Sequence, residues 1–276
     1  PLPGLHSLDD REVERWVDGI EAGNLYVNRG ITGAIVQRQP FGGWKKSSVG
    51  AGFKAGGPQY LFGFGSWESL PHKAVDAVAA DGATEAVVGR LLTASREWTG
   101  TDSGMLRRAF ADDARVWRSE FGVPKDVSRL VVERNLFRYL PARVCVRLGE
   151  DGNPVDFVRV LGAAARTGAQ VEVSSALEIP RAVLSATGQM IDTSVTETDA
   201  EWLDRICSGD SVRVRMIGGE PRTVAERLGG RCDVPVWDHP VTESGRVEML
   251  PFLLEQSVSI TAHRFGTLHH LTDEII

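Results

Sequence analysis

The spacing of apolar residues changes several times along the chain, and each spacing predicts a different element. Between residues 13 and 20 the apolar positions recur every three or four residues, which predicts an amphipathic helix. Ser7, with an acidic residue three positions later, is suited to cap this helix, and Gly23 is placed to end it in a left-handed turn. Residues 25–28 read as a short strand, whereas the glycine-, serine- and lysine-rich segment 30–58 is poor material for helix or sheet.

Two further patterns follow the glycine-rich segment. From about residue 70 to residue 121, spacings of three and four return and predict three helices. Beyond Pro124, strands at 143–148 and 170–173 flank an apolar-faced helix at 155–167. The same alternation then predicts a helix at 200–207, a strand at 211–217, a helix at 223–228 and a strand at 234–237. The sequence therefore predicts an α/β fold in which crossover helices join parallel strands of a doubly wound sheet.

Composition narrows the classes of function. The formal charge of −6 arises from 37 acidic and 31 basic residues spread along the chain, so the sequence contains no cationic stripe. We therefore do not expect nucleic acid as a partner. Three cysteines without paired spacing favour a reducing compartment, and we expect a cytoplasmic protein. The first residue is Pro1, which suggests a processed or truncated chain.

The first 65 residues contain motifs at characteristic spacing. Gly-Asn-Leu-Tyr-Val-Asn-Arg at 23–29, Thr-Gly-Ala at 32–34 and Gln-Pro-Phe-Gly-Gly-Trp at 39–44 resemble the C-terminal part of an aldehyde dehydrogenase catalytic domain. Lys-Ala-Gly-Gly-Pro-Gln-Tyr-Leu at 54–61 resembles the aldehyde anchor loop of the glutamate γ-semialdehyde branch, the 1-pyrroline-5-carboxylate dehydrogenases. The resemblance implies oxidation of an aldehyde with NAD.

The same resemblance implies a set of substrate-binding residues. Gly56 and Gly57 would present backbone N–H groups to the α-carboxylate of glutamate γ-semialdehyde, and glycine permits the close approach that such an anion site needs. Phe64 would pack against the aliphatic part of the substrate, and Phe41 lies where the family places another aromatic residue. From composition alone, the segment 50–57 would be read as a flexible surface loop, which is the usual meaning of clustered glycines. Its Gly-x-Gly-x-x-x-Gly spacing does not fit a dinucleotide fingerprint.

The catalytic groups of the family are not found among these residues. Cys145, Cys207 and Cys232 lie outside any nucleophile motif and read as structural thiols. The resemblance implies that the catalytic cysteine, the glutamate base and the NAD domain all precede Pro1. We therefore expect no catalytic residue, no cofactor-binding residue and no turnover in this chain alone.

The end of the chain resembles a second family feature. Residues 253–261 and 263–266 are similar to the terminal motif of bifunctional proline utilization A proteins, which join a flavin-dependent proline dehydrogenase to the semialdehyde dehydrogenase. The resemblance implies FAD in such a parent, a homo-oligomeric parent, and a C-terminal domain of Rossmann-like fold that covers an internal cavity without catalysis. The expected division is an end of the catalytic domain at 1–68, a helical connector at 69–124 and the non-catalytic α/β domain at 125–276.

Other interpretations are available for parts of the sequence. The chain could be a non-enzymatic assembly module, or the tail of a different aldehyde dehydrogenase. The arginines between residues 205 and 231 alternate with apolar and acidic residues, which is typical of a solvated face. The histidines at 263, 269 and 270, with the acidic residues at 273 and 274, match no standard ligand spacing, so we expect no metal site.

Overall fold

The computed structural model describes residues 2–67, 82–100, 104–269 and 273. The helices within these residues are α1 (Asp10–Gly19), α2 (Gly82–Thr99), α3 (Gly104–Val116), α4 (Pro154–Thr167), α5 (Arg181–Ala186), α6 (Asp199–Ser208), α7 (Pro221–Leu228) and α8 (Gly245–Glu248). The strands are β1 (Gly4–Leu5), β2 (Asn24–Val27), β3 (Glu133–Pro141), β4 (Arg143–Leu148), β5 (Gln170–Ser175), β6 (Ile191–Thr196), β7 (Arg213–Ile217), β8 (Val236–Trp237), β9 (Leu253–Thr261), β10 (His263–Arg264) and β11 (Thr267–Leu268).

The chain forms two compact units, and neither is continuous in sequence. The first unit combines Pro1–Gly65, Glu120–Leu140 and Leu254–Ile276. The second combines Ser66–Ser119 and Pro141–Leu253. The division of the sequence at residues 68 and 124 stays a prediction.

The first unit is built on a four-stranded sheet of order β1-β2-β9-β3. β2 pairs in parallel with both β1 and β9, with Leu25 opposite Val258. The apolar stripe of α1 buries Val13 and Val17 completely, and these side chains pack in one cluster with Leu25 and Val258. The predicted helix and the predicted strand at 25–28 are confirmed, and their apolar faces meet.

The predicted ends of α1 were wrong. Asp9 caps the helix, because its carboxylate accepts the amide of Arg11 at 3.0 Å, while the hydroxyl of Ser7 accepts the amide of Asp9. The helix ends at Gly19, before Gly23, and its C-cap residue Ile20 is in extended conformation. Gly23 instead allows a close approach, since a Cβ there would collide with the carbonyl of Gly42. Glycine at this position is therefore required for tertiary packing and does not mark the end of the helix.

The second unit contains a five-stranded parallel sheet of order β6-β5-β4-β7-β8. The chain starts at the central strand β4, moves outward to β6 and then returns to add β7 and β8 on the other side. This is the strand order of a doubly wound fold, so the predicted fold class is confirmed. The edge strand β6 was missed because its residues from 192 to 196 are exposed and carry no alternating apolar pattern.

The helical segment contributes to the core of the second unit. Of the three helices predicted between residues 70 and 121, α2 and α3 are confirmed, and residues 70–81 lie outside the described residues. Val88, Leu106, Phe110 and Val158 form one buried cluster that joins α2 and α3 to α4. The helices are thus packed elements of the α/β unit.

The interpretation of all arginines between 205 and 231 as a solvated face was wrong for Arg215. Its side chain is fully buried, and its Nε donates to the buried carboxylate of Glu248 at 2.7 Å. Because this side chain is completely buried, its charge is tolerated only as part of a pair. Among the described helices, none is both long enough and apolar enough to cross a membrane.

We expect two helical glycines of the second unit to respond with opposite signs to the same change. A Cβ at Gly162 in α4 would collide with the ring of Phe110, so Gly162→Ala should lower the free energy of unfolding by about 1–3 kcal/mol. A Cβ at Gly89 in α2 meets nothing within 4 Å, so Gly89→Ala should raise it by up to about 1 kcal/mol through helix propensity. Urea denaturation of the two variants measures both. Equal effects would contradict the packing of α3 on α4.

Candidate substrate-binding site

The predicted anchor loop is an exposed turn held between two buried side chains. We define the anchor loop as residues 54–58. Lys54 is 1% exposed and Gln59, directly after the loop, is 4% exposed. Between them Ala55 and Pro58 are exposed, and the two glycines are half-buried. The loop is therefore fixed at both ends while its centre faces outward.

The backbone of the loop forms a type II turn. The amide of Gly57 donates to the carbonyl of Lys54 at 2.9 Å, and Gly56 has a φ of +75° at the third position of the turn. A Cβ at Gly56 would lie 3.0 Å from the Cα of Val36, so both conformation and space require glycine. The two amides differ: that of Gly57 closes the turn, and that of Gly56 belongs to the central peptide of the turn.

Both predicted aromatic residues lie on segments that flank the loop. Phe41 and Ala55 exchange two backbone hydrogen bonds of 3.0 and 2.9 Å, which places Phe41 directly beside the loop. Phe64 ends the short helix Tyr60–Phe64 that follows the loop, and its ring meets that of Tyr60 edge to face at 5.5 Å. Phe64 is 73% exposed and Phe41 is 42% exposed. Both rings are thus accessible for contact with an apolar group.

Lys54 is the buried attachment at the start of the loop, and sequence reasoning missed it. Its ammonium donates to Asn24 Oδ1 at 3.0 Å and to the carbonyl of Gly42 at 2.5 Å, and its amide donates to Glu255 Oε2 at 2.7 Å. Burial lowers the pKa of the Lys54 ammonium to about 7, against the opposing attraction of the Glu255 carboxylate. No sequence signal separates a buried lysine from the exposed lysines common in loops.

Gln59 attaches the other end of the loop. Its Nε2 donates to Glu120 Oε1 at 3.2 Å and to the hydroxyl of Tyr139 at 3.4 Å. The ring of Tyr139 packs on that of Phe121, with centroids 4.7 Å apart. The two ends of the loop are therefore held by Glu120, Tyr139 and Glu255, which are distant in sequence. Local sequence could not reveal these partners.

The second unit offers a position at which doubly wound folds bind dinucleotides. This crevice lies outside the carboxyl ends of β4 and β7, where the strand order reverses. Here the two loops touch each other. The amide of Gly149 donates to the carbonyl of Ile217 at 2.9 Å, and a Cβ at Gly218 would lie 2.6 Å from the amide nitrogen of Gly152. Backbone contact therefore closes the crevice.

The start of α4, below the crevice, is also unsuited to a pyrophosphate. Asn153 already caps it by accepting the amide of Val155 at 2.9 Å, and Pro154 removes a donor. The carboxylate of Asp151 accepts the amide of Gly219 at 2.5 Å, and Asp156 adds negative charge in the first turn. A helix start with occupied amides and nearby carboxylates repels an anion. These residues do not fit NAD.

The cysteines of the chain lie in the second unit. Cys145 is buried in β4, and burial raises the pKa of its thiol to about 12, so it is not a nucleophile near neutral pH. The Cys207 thiol donates to the carbonyl of Arg227 at 3.4 Å, and Cys232 is exposed. Across the described ranges, no group of three or more His, Cys, Asp or Glu side chains is arranged to hold a metal ion. His270 and Glu274 lie outside those ranges.

Known proteins share both parts of this architecture. Residues 3–67 match the aldehyde dehydrogenase family. The bifunctional protein PutA of Salmonella typhimurium is 28% identical over 261 residues, which covers 82% of this chain and 19% of that protein. A 1-pyrroline-5-carboxylate dehydrogenase of Bacillus subtilis is 57% identical over 49 residues, which covers 18% of this chain and 9% of that protein. The chain thus spans about a fifth of the length of the PutA relatives it matches.

A solved structure extends the similarity to nearly the whole chain. The structure of PutA from Corynebacterium freiburgense matches with a TM-score of 0.72 and 40% sequence identity, and the match covers 96% of this chain and 23% of that one. The predicted resemblance to the aldehyde dehydrogenase family and to proline utilization A proteins is confirmed.

We expect the buried ammonium of Lys54 to give the protein a measurable pH dependence. Its pKa in the folded chain lies below the reference value of 10.5, so above about pH 7 the unfolded state binds more protons and the free energy of unfolding rises with pH. Between pH 7 and pH 9 the rise should reach up to about 1.4 kcal/mol per pH unit relative to Lys54→Met. Urea denaturation at three pH values measures the difference.

The control for this experiment is Lys46→Met, which removes an exposed lysine from the same segment. Its stability should follow that of the unchanged protein at every pH. The window stops at pH 9 because the raised pKa of Cys145 acts in the opposite sense above the usual thiol range. Parallel profiles for Lys54→Met and the unchanged protein would show that Lys54 keeps its charge.

Proposed function

We propose that this chain supplies the substrate-carboxylate anchor of an NAD-dependent glutamate γ-semialdehyde dehydrogenase, which oxidises the aldehyde to glutamate in proline catabolism. The enzyme as a whole is proposed to be a bifunctional proline utilization A protein, with FAD in its proline dehydrogenase and with a homo-oligomeric assembly. The similarity to PutA and to 1-pyrroline-5-carboxylate dehydrogenases supports this assignment.

The observation that carries the proposal is the anchor loop itself. Its turn requires glycine at Gly56, is attached at both ends and lies in the part of the chain that matches the aldehyde dehydrogenase family. Such a turn can present a fixed amide to a carboxylate, and little conformational entropy is lost on binding because the loop is already ordered. A turn that offers a backbone amide as a donor makes an acid-bearing aldehyde the favoured substrate class.

The two glycines have different parts in this proposal. The amide of Gly56, in the central peptide of the turn, makes the main hydrogen bond to the α-carboxylate. The amide of Gly57, which donates to Lys54, contributes a shared hydrogen bond as the carboxylate approaches. Phe41 and Phe64 contact the methylene carbons between the carboxylate and the aldehyde. The anchor thus sets which end of the substrate points to the reactive thiol.

The remaining chemistry falls to residues outside the described site. NAD accepts the hydride, and because the crevice of the second unit does not fit it, we place its site elsewhere in the enzyme. Cys145, Cys207 and Cys232 lie outside any nucleophile motif, and burial raises the pKa of the Cys145 thiol, so the nucleophilic cysteine is also placed elsewhere. The second unit is proposed as a non-catalytic domain that covers the internal cavity of the enzyme. This role does not require the second unit to bind NAD.

The test is a kinetic comparison of two glycine variants in the full-length enzyme. Gly56→Ala should raise the KM for glutamate γ-semialdehyde by roughly 10-fold or more, because a charge-assisted hydrogen bond is weakened. Its kcat/KM for propanal, which has no carboxylate, should change little. NAD reduction followed at 340 nm gives both values.

Gly50→Ala is the matched control. Gly50 also has a positive φ, of +56°, and lies in the same segment, but a Cβ there meets nothing within 4 Å. It therefore reproduces the backbone strain without touching the anchor loop. If Gly56→Ala and Gly50→Ala lowered activity towards both aldehydes equally, Gly56 would have no role in carboxylate recognition.

A further inference from the structure

The strand β9 presents two chemically different faces. Because successive side chains of a strand point to opposite sides, Glu255, Ser257 and Ser259 share one face. Gln256, Val258 and Ile260 form the other. All six side chains are buried, so each face has a partner inside the first unit.

The apolar face of β9 packs against the first helix. Val258 and Ile260 belong to the same buried cluster as Val13 and Val17 of α1. Gln256 extends this contact, since its Nε2 donates to the carbonyl of Ala22 at 2.9 Å and its Oε1 accepts from Arg138 at 2.7 Å. This face holds β9 in the sheet.

The polar face of β9 binds the segment that leads into the anchor loop. The hydroxyl of Ser257 donates to the carbonyl of Pro40 at 2.8 Å. The hydroxyl of Ser259 donates to Asn135 Oδ1 at 3.0 Å, an atom that also accepts from Gln39 at 2.8 Å. The polar face therefore fixes residues 39 and 40, next to Phe41.

Glu255 completes this face and reaches the loop itself. Its backbone carbonyl accepts the indole N–H of Trp44 at 2.8 Å, and its carboxylate accepts the amide of Lys54 at 2.7 Å. The side chain is 5% exposed, and its carboxylate attracts the Lys54 ammonium. A buried carboxylate that accepts a backbone amide makes a strong and directional contact.

Lys54 links Glu255 to the anchor turn. The amide of Lys54 is bound by Glu255, and the carbonyl of the same residue accepts the amide of Gly57 and closes the turn. A shift of Lys54 therefore displaces the turn and with it the amide of Gly56.

We propose that Glu255 is a positioning residue for recognition of the substrate carboxylate, acting through Lys54 on the anchor turn. This inference rests on the proposed function for its effect on substrate. Its structural half, the control of the loop by Glu255, stands on the contacts alone. The two halves can be measured separately.

The structural half is tested by hydrogen exchange on the chain, with mass spectrometry of peptides that cover residues 53–59. In Glu255→Ala the amides of Lys54 and Gly57 should exchange roughly 10-fold faster or more, because the turn loses its fixed end. Glu255→Gln keeps an oxygen acceptor and should restore most of the protection. The matched control is Gln256→Ala, which truncates the neighbouring buried residue on the opposite face.

The functional half is tested by kinetics of the same variants in the full-length enzyme. Glu255→Ala should raise the KM for glutamate γ-semialdehyde by roughly 10-fold, with kcat and the kcat/KM for propanal nearly unchanged. Binding of L-glutamate, measured by calorimetry, should weaken in parallel. Glu255→Gln should fall between Glu255→Ala and the unchanged enzyme.

The outcomes separate the two proposals. If Gln256→Ala accelerated exchange at residues 53–59 as much as Glu255→Ala, Glu255 would be an ordinary structural residue and the inference would be wrong. The inference would also be wrong if Glu255→Ala lowered the rates of oxidation of glutamate γ-semialdehyde and propanal equally. If exchange behaved as expected but the unchanged enzyme did not prefer the acidic aldehyde, the loop control would stand and the proposed function would fail.

Discussion

The parallel pairing of β2 with β9 is the interaction on which the first unit depends. It joins residues 24–27 to residues 257–260, at opposite ends of the chain. The pairing completes the cluster beneath α1 and at the same time places the polar face of β9 against the glycine-rich segment. A segment too rich in glycine to fold alone is thereby held by a strand that is remote in sequence. The cost of closing so large a loop is offset only because β9 is buried on both faces.

Buried charge is tolerated in this protein where it is paired or hydrogen-bonded, and those places determine local geometry. In the first unit, burial lowers the pKa of the Lys54 ammonium to about 7. In the second unit, Arg159 pairs with Asp113 and Arg215 pairs with Glu248, and all four side chains are nearly inaccessible. Such pairs add little stability relative to apolar packing, but they are directional and permit one arrangement of the elements that carry them.

The second unit combines the strand order of dinucleotide-binding folds with glycines at the strand ends that bring two loops into backbone contact. The sequence around Gly149 and Gly218 also lacks the glycine spacing that admits a pyrophosphate. The strand order is shared with dinucleotide-binding folds but this spacing is not, which is why fold alone does not assign function.

The sequence by itself determined the periodic elements and the family resemblance. The stripe of α1, the central strands β4 and β5 and the helix α4 follow from apolar spacing, and the motif at 54–61 identified the candidate loop. The tertiary structure decided what local pattern cannot encode: the exposed edge strand β6, and the buried roles of Lys54, Arg215 and Glu255. The physical reason is that a polar residue becomes buried only when partners from distant parts of the chain satisfy it, and a linear sequence does not state which residues will meet.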